Sequence, residues 1–176
     1  LLHEDIGVDA IVIRDNEPVP MTKIKCDRAV SLGSLPYLLN ITQETINQGF
    51  PYIKTRSVNN DFVKARPMTI KGEGKKIGVC WRGSPNHLHD KYRSATLEDF
   101  SPLEKVKNVY NLTLHPSPFI NLDFRNFQET ANLIGQLDLV ITVDTAVAHL
   151  AGAMNKDVLL LLRKRRDWRW GLTGDT

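Results

Sequence analysis

The sequence lacks most of what would classify it quickly. Two cysteines, Cys26 and Cys80, are too few for a disulfide framework or a zinc knuckle, which sets the expectation of a reducing, cytoplasmic compartment. No apolar run approaches the roughly 20 residues that a membrane-spanning helix needs. The opening LLHEDIGVDA carries acidic residues and has neither a basic n-region nor a small-residue cleavage site, so it does not read as a signal peptide. It opens in mid-pattern without Met, and the reading is of a fragment of something longer. A formal charge of +3 is too weak to argue for nucleic acid. No GxGxxG follows an expected strand and no GxxxxGK[ST] exists, which counts against dinucleotide redox enzymes and P-loop NTPases. No internal repeat is visible.

What remains is the composition of an ordinary globular chain, 41% hydrophobic and 24% charged. The most informative stretch is 137–154, LDLVITVDTAVAHLAGAM. Residues 139–143 form a near-continuous β-branched run, the pattern of a parallel strand buried on both faces. The run stops at Asp144, and 145–154 reads as a helix. At about 100° per residue, Val147, Leu150, Ala151 and Met154 share one side, while Thr145, Ala148, His149 and Gly152 share the other. The first side is core. The second is small and polar, with a hydroxyl and an imidazole one turn apart at a helix mouth, where unpaired N–H groups and the positive dipole end favour an anion. Asp144 also fits an N-cap bonding the amides of Ala146 or Val147, which needs no ligand. His149 fits a satisfied core histidine, and a small helix face fits close approach of a neighbouring helix.

Upstream, DAIVIR at 9–14 reads as a strand ended by NEPVP, and SLGSLPYLLN as a short helix or turn. Residues 42–74 show little periodicity and read as a domain junction with short elements of its own. From Lys76 the pattern becomes regular. Residues 77–81 form an apolar strand emptying into the polar loop RGSPNHLHDKYRS. Thr96 with Asp99, then Ser101-Pro102 with Glu104, are consecutive capping signals, so a turn and a helix to about Lys107 are expected. Residues 109–114 are the next strand, and HPSPF after it cannot be helix. Asn126 with Glu129 caps a helix in which Phe127, Ala131, Ile134 and Leu137 share a face. Residues 158–162 make one more buried strand. Strand alternating with helix predicts an α/β fold with an open parallel Rossmann-like sheet, residues 61–176, preceded by the end of a second domain, residues 1–60.

Ligands in such sheets bind beyond the carboxyl ends of the strands, where strand order reverses. If 77–81 is the first strand and 139–143 lies on its other side, loops 82–94 and 144–149 face each other there. A diphosphate can be held without glycines, because Thr145 supplies a hydroxyl and the helix supplies amides. A carboxylate would repel phosphate, so Asp144 caps the helix or faces a sugar hydroxyl, while Arg93, Lys91 and Arg82 neutralise charge from across the crevice. The run 163–166, RKRR, reads as a solvated loop, with phosphate binding as the alternative.

The segments IGVCWRGSPNHLHDKYRS, NFQETANLIGQLDLVITVDTAVAHLAGAM and DWRW resemble the C-terminal half of bacterial GT-B glycosyltransferases that follow tetratricopeptide repeats. Those proteins are related to heptosyltransferases and remotely to O-linked N-acetylglucosamine transferases. The resemblance covers 77–170, with a fainter one over SLPYLL and PYIK. It implies two Rossmann-like domains facing a cleft, a UDP- or ADP-linked sugar donor on the C-terminal one, a protein or glycan acceptor, and no metal or other cofactor. Carried over residue by residue, Asp144, Thr145, Ala146 and His149 lie along the donor, and Gly83, Asn86, Arg93 and Ser94 face them. Asp167, Trp168 and Arg169 of DWRW follow the last strand. Arg82 stands where the family commonly has a small residue, and the acceptor-side domain, which would carry the catalytic base, is represented only by its end. Two other readings predict different outcomes: a metal-dependent hydrolase using HLHD (His87, His89 and Asp90, with His115 and His149), and a scaffolding module that turns nothing over.

Overall fold

A computed structural model of the chain describes residues 27–42, 44–46, 51–53, 69–88, 90–164, 166–167 and 170–171. The expected strand 9–14 lies outside them. Among the described residues five strands pair into one sheet: β1 (Ile77–Cys80), β2 (Val109–Asn111), β3 (Ile120–Asn121), β4 (Leu139–Val143) and β5 (Val158–Leu161). The order is β3-β2-β1-β4-β5 and every pairing is parallel. Ile77 is in register with both Val109 and Leu139, so the strand order reverses between β1 and β4. This is the open Rossmann-like α/β sheet that the alternation of elements predicts.

The described residues include four short α-helices: α1 (Leu35–Leu38), α2 (Asp90–Arg93), α3 (Phe127–Gly135) and α4 (Ala146–Ala153). Side chains alternate across β1, so Cys80 faces one core and Val79 and Trp81 the other. The first core gathers Leu133 and Ile134 of α3 and Val147, Leu150 and Ala151 of α4. In the second, the Trp81 ring packs 6.4 Å from Phe100 and 6.3 Å from Phe119. Gly78 is required by packing, since a Cβ there would stand 2.5 Å from Leu137 Cδ1 and 2.7 Å from Leu112 Cδ1.

The chain before the expected boundary at residue 60 reaches this core. Ile53 is buried in it, and the N–H groups of Tyr52 and Ile53 donate to the Ala153 carbonyl at 3.1 and 3.2 Å.

Helix ends explain themselves locally. Asn126 Oδ1 accepts from Glu129 N at 2.9 Å, and Glu129 Oε2 accepts from Arg125 N at 2.8 Å, a capping arrangement that starts α3. Lys156 ends it, its ammonium donating to the carbonyls of Gly135 at 2.7 Å and Leu137 at 2.9 Å. α4 closes in a Schellman turn. Asn155 takes a left-handed φ of 55°, and Lys156 N donates to Ala151 O at 3.0 Å.

Several expectations need correcting. β2 stops at Asn111 rather than 114, because the Asn111 side chain takes over the pairing. Its Oδ1 accepts from Thr113 N at 2.7 Å and its Nδ2 donates to Asn121 Oδ1 at 2.7 Å. That knot also positions β3, which the proline-rich exit concealed. The helix expected to follow Ser101-Pro102 is a 3-10 segment, Glu98–Lys105, with Pro102 inside it. An imino acid there cannot donate to the carbonyl four residues back, so the tighter turn prevails. Two bonds from Thr96 hold the Asp99 carboxyl below its usual range. Phe127 is 61% exposed, being in the first turn of α3, ahead of the stretch that packs. β5 is an edge strand paired to β4, so Leu159 and Leu161 face out rather than being buried.

Candidate functional site

The reversal of strand order brings two chain exits side by side. β1 leaves through Trp81 into the loop 82–94, and β4 leaves through Asp144 into α4. The exits are stitched together from beneath. Thr145 is buried, with Oγ1 3.2 Å from Thr142 Oγ1 and 3.7 Å from Cys80 Sγ, and the thiol in turn donates to the Arg82 carbonyl at 3.6 Å. Burial pushes the Cys80 thiol above its ordinary pKa, opposed by its bonds to Thr145, Thr142 and Arg82 and by the positive charge of Arg93.

Within the loop, Gly83, Arg93 and Ser94 interlock. Gly83 N donates to Ser94 Oγ at 3.1 Å, and Arg93 Nε donates to Asp90 Oδ1 at 3.2 Å. A Cβ on Gly83 would collide with Arg93 Nη2 and stand 2.8 Å from Asp90 Oδ1. Arg93 is thus a guanidinium pinned by a buried carboxylate, and glycine at 83 makes room for it. Lys91 lies over the Tyr92 ring at 4.8 Å, and Asn86 is exposed. A cavity of about 400 Å³ opens inside this loop, lined by Arg82, His87, Asp90, Lys91 and Ser94 among others. Arg82 Nε is buried and makes no hydrogen bond. No residue of the turn 144–149 lines that cavity.

At the other exit the cap differs from expectation. Thr145, not Asp144, is the N-cap of α4, with extended backbone (φ −139°, ψ 171°), and its side chain makes no cap bond. The hydroxyl is turned into the sheet instead, so no side chain covers the first amides of the helix. Val147, Leu150, Ala151 and Met154 are buried as the spacing predicts. Ala148 is buried too, which narrows the open face to Ala146, His149 and Gly152. His149 is no core histidine. Its side chain is 49% exposed, with Nε2 4.0 Å from Asp144 Oδ1.

Sequence reasoning passed over Trp170. Its indole stacks on the His149 ring, centroids 4.8 Å apart and planes 21° apart. The chain brings it there by a turn, Trp170 N donating to Asp167 O at 3.1 Å while Arg166 Nε donates to Gly171 O at 2.6 Å. The DWRW motif points to this segment, but only the tertiary contact shows that Trp170 meets the helix. Trp168 and Arg169 lie outside the described residues, as do His89 and Arg165. Arg163 and Lys164 are exposed after β5.

Residues 122–176 match the model of glycosyltransferase family 9 (heptosyltransferase). The matched segment takes in α3, β4, α4 and β5, and so one wall of the crevice; β1 and the loop 82–94 precede it. No curated protein and no solved structure matches the chain. The match supports an enzyme that transfers a sugar from a donor to an acceptor, and favours neither the hydrolase nor the scaffold. Among the described residues, no three His, Cys, Asp or Glu side chains gather into a group able to hold a metal ion. No helix among them is long and apolar enough to cross a membrane.

Proposed function

We propose that the chain is the donor-side part of a GT-B glycosyltransferase, which holds a nucleoside-diphosphate sugar across the β1/β4 crevice for transfer to a protein or glycan. The observation that carries this reading is the mouth of α4. It is an eight-residue helix with no side-chain cap, at the point where strand order reverses, inside the segment that matches a glycosyltransferase family.

In this reading the amides of Ala146 and Val147, together with the helix dipole, take the diphosphate. Thr145 holds the turn from below, and Asp144, freed from capping, faces a sugar hydroxyl. Charge that grows on the leaving diphosphate is met by Arg93, oriented by Asp90, and by Lys91 and Arg82, rather than by a metal ion. Gly83, Asn86 and Ser94 shape the facing wall, and Asp167, Trp168 and Arg169 of DWRW count among the donor-binding residues. The donor is UDP- or ADP-linked. The catalytic base belongs to the acceptor side, and tetratricopeptide repeats belong to the parent protein.

The test is a thermal-shift and tryptophan-fluorescence titration of the chain with UDP, ADP, GDP and their sugars, with and without EDTA. Saturable binding of a nucleoside diphosphate that EDTA leaves intact is expected. No response at millimolar concentration, or a response that EDTA abolishes, refutes the proposal.

A further inference from the structure

Nothing so far gives Trp170 a part to play, yet it makes the most regular contact at the crevice. His149 lies on the open face of α4 and its side chain is half exposed. Such a side chain ordinarily exchanges among rotamers. Helical side chains lean toward the N-terminus of their own helix, so an imidazole at 149 covers the turn before it. The 4.0 Å approach of Nε2 to Asp144 shows that it reaches back that far. The near-parallel indole, at 4.8 Å and 21°, backs one face of the ring.

The indole is itself held in place without help from a ligand. The bonds Trp170 N to Asp167 O and Arg166 Nε to Gly171 O tie 166–167 to 170–171, so the stacking surface is already present in the free protein. Stacked rings contribute beyond their buried area, and both rings keep their shape as they meet. Preorganised geometry of this kind is what makes a polar group useful at a site where charge develops.

We propose that Trp170 is a positioning residue: its indole face fixes the His149 imidazole over the mouth of α4, in the orientation that the donor diphosphate meets. This rests on the donor site proposed above. Trp170 does not touch the donor; it acts through His149.

The experiment uses the whole chain. The His149 ring protons are assigned by NMR in the free protein and in Trp170→Leu and Trp170→Phe, and UDP and ADP are titrated into each. Stacking on the indole face shifts the His149 ring resonances upfield, leucine abolishes that shift, and phenylalanine keeps part of it. Diphosphate affinity falls about threefold to tenfold in Trp170→Leu, the range for a lost ring stack, and recovers in Trp170→Phe. In a His149→Ala background, Trp170→Leu costs nothing more. Unchanged His149 shifts in Trp170→Leu, or losses that simply add in the double variant, overturn the proposal. If the free protein shows the ring shift but binds neither UDP nor ADP, the donor site itself is refuted and the stack stands as architecture alone.

Discussion

Replacing Thr145 with valine separates two roles that residue spacing alone cannot. Spacing puts the Thr145 hydroxyl at a helix mouth, as a direct ligand for phosphate. In the fold that hydroxyl faces Thr142 Oγ1 at 3.2 Å and Cys80 Sγ at 3.7 Å, in a residue that is only 6% exposed. Valine has nearly the same shape, suits the extended backbone at 145, and leaves no cavity. Loss of an N-cap threonine ordinarily costs about 1 kcal/mol, but this side chain makes no cap bond, so that cost is absent. What remains is the buried hydrogen bond with Thr142 and a weaker one with the Cys80 thiol, together worth about 1 kcal/mol. Thr142 keeps its bond to Val143 O at 2.9 Å and is not left unsatisfied. The expected result is therefore a loss of about 1 kcal/mol in urea unfolding at unchanged m value. UDP or ADP affinity per folded molecule should stay within about twofold. A direct hydroxyl-to-phosphate bond is worth about 1.5–3 kcal/mol, so a loss of affinity of tenfold or more without loss of stability would show that the hydroxyl is a ligand and that the assignment to the amides is wrong.

Three further outcomes follow from single contacts. Lys156→Met keeps the aliphatic stem but removes the ammonium from the carbonyls that end α3, and should cost about 1–2 kcal/mol of stability without changing nucleotide affinity. Burial raises the Cys80 thiol above its ordinary 9.0, so its stabilising contribution is complete below that value and fades as pH rises through the folded one. In a Cys26→Ser background, Cys80 should resist thiol reagents at pH 8 until the protein unfolds, and rapid labelling of the native protein would contradict this. Gly83→Ala puts a methyl into the Asp90–Arg93 pair. Because the arginine can swing away, the expected stability loss is about 1 kcal/mol or less, with a larger fractional loss of diphosphate binding. Equal losses in both would place Arg93 outside the site.

The parts of the fold legible in the sequence were those set by short-range rules. The run 139–143 is β-branched because both its faces are covered, and the burial of Val147, Leu150, Ala151 and Met154 follows from helical period alone. Asn126 and Glu129 announced the start of α3 because a cap is a local bond. The pairing of β1 with β4 was a supposition consistent with the element order, one of the few right-handed topologies open to it, and the sheet has it. The misses share a different cause. β3 is two residues long and has no pattern of its own; it exists because Asn111 reaches Asn121. β5 has the composition of an interior strand, but its exposure depends on what stands beside it, and composition carries no record of neighbours. Thr145 holds the cap position without capping because two buried partners, Thr142 and Cys80, compete for its hydroxyl.

That competition also bears on how the crevice is assembled. The family match covers the β4 wall, whereas the cavity with Arg82, Lys91 and Ser94 belongs to the loop after β1. The small cluster of Cys80, Thr142 and Thr145 joins the two walls under their rims. A sulfur and two hydroxyls fill that joint compactly: Cys80 and Thr142 are register partners on neighbouring strands, and the 3.7 Å contact of Cys80 Sγ with Thr145 Oγ1 crosses from β1 to the β4 side, so a shift of β1 against β4 would break it. A larger residue at 80 or 142 would widen the crevice, and its effect on diphosphate binding would appear even with every surface residue intact.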